Sequence, residues 1–445
     1  LNRQSAPAFN PILHPPLHGR EIRAVKSLRT RKGRVLLASA AENGVLTISE
    51  LDEATSTLRT LYINPFLPSS LKSLEWSSSP SPSTSSSTAP EQERYTLFAS
   101  GTRCLLCAFS VTLSPSSPPA GELRVLPSGM VLADEGEEVR TMAMAVVPLE
   151  DGTRAVVAGY SDGSIKVYTH SPLSGSFELL ASSPKAHDKC VLVVDAVEVY
   201  RDEEGRPSWV VVTGDSGGLL IRSASNPYVP GASSPSLDLP APFLSYRPHP
   251  SGINALAARL HGSLLVLATG GDDGAVVAQV VYLELGGSEE GHVEGELGAA
   301  ARVGEAHGST IQGLDFLPSP SSCPPPFSTP VDTVPLTFNA HLVSSSVEQR
   351  LNLYRLRHFD PPHKPNERVP NSQLELVVWE GTTLDVADCS AQEVVSLSSS
   401  LRTEEAGGRR GEGKAEKVKV VVAGIGAEVV ELNLDGTEGD SVGAA

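Results

Sequence analysis

Residues 264–280 read LLVLATGGDDGAVVAQV. Apolar residues lead into Ala268, Thr269, Gly270 and Gly271, an Asp-Asp-Gly turn follows, and an apolar run resumes at Ala275. Apolar side chains at period two on both sides of a short Gly-containing turn specify a β-hairpin. Gly274 supplies the positive φ that a tight connection requires. Small residues before the turn allow a neighbouring sheet to approach closely. The same pattern recurs as VLLASAAENGVLTISEL from Val35, AVVAGYSDGSIKVY from Ala155, WVVVTGDSGGLLIR from Trp209 and HLVSSSVEQRLNLYRL from His341. YTLFASGTRCLLCAF from Tyr95 and KVVVAGIGAEVVELNL from Lys419 are weaker copies. Gly44 and Gly163 take the turn role of Gly274.

Seven hairpins at intervals of roughly 55 to 77 residues describe a repeat architecture. A further strand precedes most of them: EIRAVKSL from Glu21, VRTMAMAVV from Val139, CVLVVDAVEVY from Cys190, SGINALAARL from Ser251, TIQGLDFL from Thr310 and LDVADCSA from Leu384. With an outer fourth strand each unit becomes a blade, and the expectation is an all-β, seven-bladed propeller. The blades fall near 18–65, 70–112, 122–180, 185–225, 240–285, 300–357 and 373–434. Residues 1–17 are expected to supply a closing strand to the last blade, through PAFNPIL (Pro7 to Leu13), and 435–445 to form a polar tail. Ser/Pro-rich and charged stretches at 77–90, 114–119, 319–326 and 403–417 read as disordered loops between strands.

Composition narrows the function classes. The net charge of −17 opposes general binding to polyanions. Five cysteines without a spacing framework, and no N-glycosylation sequon, favour a reducing compartment, hence a cytoplasmic location. No apolar run approaches membrane-spanning length, so no membrane partner is expected. The chain opens at Leu1 without a signal-peptide pattern and reads as a piece of a longer protein.

Catalytic signatures fail one by one. Gly424-Ile425-Gly426 lacks the third glycine, helix and acid of a dinucleotide loop and reads as a hairpin turn. Cys104 and Cys107 have no second pair to complete a zinc site. No nucleophile elbow, zinc-protease helix or phosphate loop occurs. No catalytic residue, cofactor or metal site is therefore expected, and converging acids at a central channel would be needed for an enzyme reading.

His187, His249 and His307 each stand just before an inner strand, with Asp162, Gly163, Asp273, Gly274 and Glu348 at hairpin turns. They resemble WD repeats, where a His at that place bonds toward the acid of the turn, and the resemblance implies that these residues form hydrogen-bonded blade corners. Two basic segments break the acidic average. The first holds Arg20, Arg23, Lys26, Arg29, Arg31, Lys32 and Arg34; the second holds Arg350, Arg355, Arg357, His358, His363, Lys364 and Arg368. They read as solvated rims or as contacts for RNA phosphate or an acidic partner.

Four stretches carry a resemblance to one WD-repeat family: HGREI (18–22), AHDKCVL (186–192), HPSGINAL with ATGGDDGA (249–275), and AHGSTIQGL with VSSSVEQRLNLYRL (306–356). They resemble the C-terminal part of the WD repeat-containing protein 6 family and its fungal counterparts. Where that family has Asp-Gln-Arg-Leu, this chain has Glu348-Gln349-Arg350-Leu351. No Trp-Asp dipeptide occurs, and Tyr168 and Tyr354 stand where the usual Trp would be. The resemblance implies a non-catalytic partner of an FtsJ-type tRNA ribose methyltransferase that modifies the wobble nucleotide, with S-adenosylmethionine bound by that enzyme. A general WD-repeat adaptor in signalling or trafficking is the alternative.

Overall fold

The computed structural model describes residues 12–14, 18–64, 67, 70–78, 92–114, 123–132, 138–149, 152–201, 207–225, 237–285, 293–317, 338–359, 372–378, 383–386, 390–395, 417–424 and 427–433. These residues form seven separate sheets. The inner strands are Ile22–Arg29, Leu71–Ser78, Thr141–Pro148, Val193–Arg201, Ile253–His261, Ile311–Phe316 and Ala391–Val395. Each packs against the next, and the seventh packs against the first, so the ring is closed. The chain is a seven-bladed β-propeller.

Period-two alternation explains why blades stack. Along Val35–Ala41, Leu36, Ala38 and Ala40 pack toward the second blade. Val35 and Leu37 pack toward the seventh. Every interface between neighbouring blades has its own buried apolar cluster, seven clusters for seven interfaces. Burial on both faces makes the middle strands continuously apolar; Leu264–Gly271 is buried at every position.

Each predicted hairpin is an antiparallel pair: Val35–Ala41 with Leu46–Asp52, Glu93–Gly101 with Cys104–Leu113, Arg154–Tyr160 with Ile165–His170, Pro207–Gly214 with Leu219–Ser225, Leu264–Gly271 with Val276–Leu285, Phe338–Ser346 with Arg350–Phe359, and Lys417–Ala423 with Ala427–Asn433. Gly424 sits in the last of these turns, and its carbonyl accepts a 2.7 Å bond from Ile22 N–H of the first blade.

Outer strands depart from the sequence boundaries. Leu123–Leu132 pairs in the second sheet, although the third blade was expected to open at 122. Leu244–Tyr246 belongs to the fourth sheet, Val293–Val303 to the fifth and Gln373–Val378 to the sixth. Each is half exposed, and the gap before it varies from one blade to the next, so neither spacing nor hydrophobicity ties it to its own hairpin. Leu384–Asp385, taken as the seventh inner strand, instead pairs with Arg350 and Leu351 of the sixth blade. The seventh inner strand is Ala391–Val395. Ile12–His14 pairs antiparallel with Ala427–Asn433, opposite Val429, Glu428 and Ala427. The four low-complexity stretches lie almost wholly outside the described residues.

Candidate functional site

The blade corners come together as hydrogen-bonded chains. His249 sits 2.9 Å from Asp273 through Nδ1 and 2.9 Å from Thr269 Oγ1 through Nε2. His307 repeats this with Glu348 at 3.0 Å and Ser344 at 2.6 Å, and Ser344 is 2.9 Å from Tyr354 Oη. A carboxylate can only accept, so Nδ1–H donates to the acid and Nε2 accepts from the hydroxyl. Ser344 in turn accepts from Tyr354, which occupies the usual Trp position.

Burial depresses the imidazole pKa values of His187, His249 and His307, against the raising effect of their acids. These rings are therefore neutral hydrogen-bonding struts at pH 7. For Glu348, burial works upward, but the Gly308 N–H and His307 outweigh it.

Two corner residues escaped the sequence reading. His187 bonds Thr213 at 2.9 Å and faces Asp215 at 3.5 Å. Asp215 in Gly214-Asp215-Ser216-Gly217-Gly218 is the acid of that corner, while Asp162 binds Ser164 within its own turn at 2.9 and 2.6 Å. His18, buried, bonds Ser39 at 2.9 Å and is the first blade's corner. Its position just before Glu21-Ile22 was the available signal. The backbone links corners across blades: His187 N–H donates to Gly163 O at 3.0 Å and His307 N–H to Gly274 O at 2.9 Å.

The inner strands enclose a channel with a cavity of about 520 Å³. One level of it carries Lys26, Glu75, Ala145, Asp195, Ala257, Asp315 and Glu393, one residue per blade. Their partners on the adjoining strands are Ala38, Phe98, Val157, Val212, Ala268, Val343 and Val421. Four acids thus converge on a channel where none was expected. The inner strands hid them, because channel-facing positions need not be apolar and no local motif marks them.

These acids cross-link strands. Glu393 accepts from Ser27 N–H at 2.9 Å and Ser27 Oγ–H at 2.7 Å. Lys26 lies 3.5 Å from Glu75 and 3.8 Å from Glu393. Asp195 accepts from Ala196 N–H at 2.8 Å and Ala258 N–H at 3.1 Å. Burial pushes Asp195 up to about 6 and Asp315 up to about 7. Burial also raises Glu393, against the pull of Lys26, while Glu75 and then Glu393 hold the Lys26 ammonium firmly charged. Among the described residues no group of three or more His, Cys, Asp or Glu is placed to hold a metal.

The first basic segment is largely neutralised. Arg23 meets Glu42 and Glu21, Arg29 lies 2.5 Å from Glu53, and Arg34 lies 2.5 Å from Glu50. Arg20 and Lys32 are exposed, and Arg31 N–H donates to Tyr95 Oη at 3.0 Å. In the second segment Arg350 stands 4.0 Å from Glu348 and 3.6 Å from Asp385. Arg357 faces Glu375, and Arg355 lies between His341 and Val377. His358 is buried, so it offers no surface contact. His363, Lys364 and Arg368 lie outside the described residues. Cys107 is buried, with its thiol directed at Ala99 O.

Ring, corners and hairpin turns together define a WD40-type propeller. The chain is similar to the tRNA (34-2'-O)-methyltransferase regulator WDR6 of Bos taurus, 25% identical over 240 residues, which is 50% of this chain and 20% of that protein. It is likewise 27% identical over 242 residues to the protein of the same name from Homo sapiens, again 50% of this chain and 20% of the relative. The similarity is consistent with a propeller of the WDR6 family, and the matched region spans about a fifth of those relatives' length. No family model matches the chain. Among solved structures, Saccharomyces cerevisiae Sqt1 aligns over 94% of this chain and 98% of its own, with a TM-score of 0.48 and 11% identity. Among the described residues no helix is long and apolar enough to cross a membrane.

Proposed function

We propose that this propeller is a non-catalytic docking platform within a regulator of a tRNA wobble-nucleotide 2'-O-ribose methyltransferase. The reading carries with it an FtsJ-type partner that binds S-adenosylmethionine, and a cytoplasmic location. The observation that carries it is the similarity of half the chain to proteins named as regulators of that methylation. The geometry supports a platform. A closed ring of sheets presents hairpin turns held by their strands and loses little entropy on docking. The channel carboxylates are engaged in strand-to-strand bonds, which suits structure better than acid–base chemistry.

Contact with tRNA through Arg23, Lys26, Arg29 or Arg350 gains little support, because each already faces a carboxylate. Arg20 and Lys32, both exposed, remain the better candidates in those segments. The decisive experiment isolates the full-length protein with its partners and measures wobble 2'-O-methylation in cells lacking it. Copurification of a methyltransferase and loss of the methyl group are expected. An unchanged methylation level, with a different stable partner, would establish the general adaptor instead.

A further inference from the structure

The channel mouth on the hairpin-turn side carries cations that the fold does not answer. In five blades the inner strand opens with a register shift that displaces one residue: Arg23, Lys72, Met142, Asn254 and Gln312. A bulge of this kind re-aims its side chain out of the ladder, and all five line the channel. Arg23 is taken by Glu21 and Glu42. Lys72 makes no ion pair among the described residues, and neither does Arg140 of the adjoining blade. The Arg140 backbone is fixed from both sides: its N–H donates to Ser161 Oγ at 3.0 Å, and its carbonyl accepts from Ser161 N–H at 2.9 Å.

The Lys72 amine is half-buried and pushed down, first by desolvation and then by Arg23 and Arg140; Glu42 and Glu21 oppose this only in part. A half-buried cation pressed by two others, without a counter-ion of its own, is unfavourable until an anion arrives.

We propose that Lys72 and Arg140 form a docking point for a carboxylate-bearing segment of a protein partner at the channel mouth. The inference rests on the platform reading above and names the chemistry of its contact. A protein fits better than a nucleic acid. Asp162 and Asp272 are exposed on turns of the same face, and an evenly charged phosphate backbone would meet both. A protein surface can interleave acids and bases to match such a pattern. Below the mouth, Glu75, Asp195 and Asp315 line the channel, and its cation Lys26 is already held by Glu75 and Glu393, which confines the contact to the rim.

Zero-length carbodiimide coupling of the full-length protein, isolated with its bound partners, joins amines to carboxylates in contact. The expected product links Lys72 to an Asp or Glu of a copurifying protein. The double variant K72E/R140E should retain at least tenfold less of that protein at an unchanged melting temperature, while K72R/R140K retains it. Coupling of Lys72 only to Glu21 or Glu42, equal retention by the reversed variant, or loss of the cross-link on adding a single-stranded RNA oligonucleotide would each overturn the proposal. A cross-linked partner other than a methyltransferase would sink the functional reading and leave this contact standing. A methyltransferase held equally well by the reversed variant would do the opposite.

Discussion

Gly274 shows how one residue joins two blades. Its φ is +68°, and a Cβ built there would lie 2.2 Å from the His307 carbonyl oxygen of the next blade. Both the conformation and the contact exclude a side chain. Gly274→Ala should cost about 1–3 kcal/mol in urea unfolding. Gly304→Ala is the control, since nothing lies within 4 Å of its Cβ. The corner histidines add a pH signature. Burial holds His187, His249 and His307 below their ordinary pKa, and His18 down to about 4. The folded state binds protons less readily than the unfolded chain, so these groups withdraw stability as pH falls below the ordinary histidine value toward their folded values. His307→Ala leaves Glu348 and Ser344 short of a partner and should cost about 1–3 kcal/mol. It should also flatten the acid limb of a plot of melting temperature against pH.

At the scale of the inner strand, the channel level works in the opposite direction. Asp195 and Asp315 are raised to about 6 and about 7. The folded state therefore holds their protons longer, and stability falls as pH rises from the ordinary carboxylate range through those values. Asp315→Asn removes the cost of burying a carboxylate and its repulsion with Glu393, against the loss of the attraction from Lys26. The expected result is a melting temperature about 2 °C higher at pH 8, with less gain at pH 5. The lost attraction to Lys26 keeps the effect modest. A variant less stable at pH 8 than the parent would show that Asp315 is needed ionised.

At the scale of the ring, closure between the seventh and first blades is spread over several bonds. Glu393 holds Ser27, Gly424 O holds Ile22 N–H, and buried Lys419 reaches Ser56 Oγ at 2.5 Å and the Glu53 carbonyl. Outside these, Ile12–His14 adds a strand to the seventh sheet. Glu393→Ala should cost about 1–3 kcal/mol by leaving the part-buried Ser27 N–H and hydroxyl without their acceptor. Amide exchange should then quicken in Ile22–Arg29 and Ala391–Val395 and stay unchanged in Ile253–His261. Uniform quickening around the ring would mean that the seam is no weaker than any other interface.

The sequence by itself determined the seven hairpins, because a strand buried on both faces must be apolar throughout and its turn must carry glycine or a short acid. It also placed His187, His249 and His307 just before inner strands. Tertiary structure alone decided the rest. It placed each outer strand in its sheet, took Asp215 and not Asp162 as the partner of His187, and gathered Glu75, Asp195, Asp315 and Glu393 around Lys26. Those residues come from separate blades far apart in the chain, and only ring closure sets their distances. Local periodicity fixes which way a side chain points within its strand. It carries no information about which charges meet across a channel.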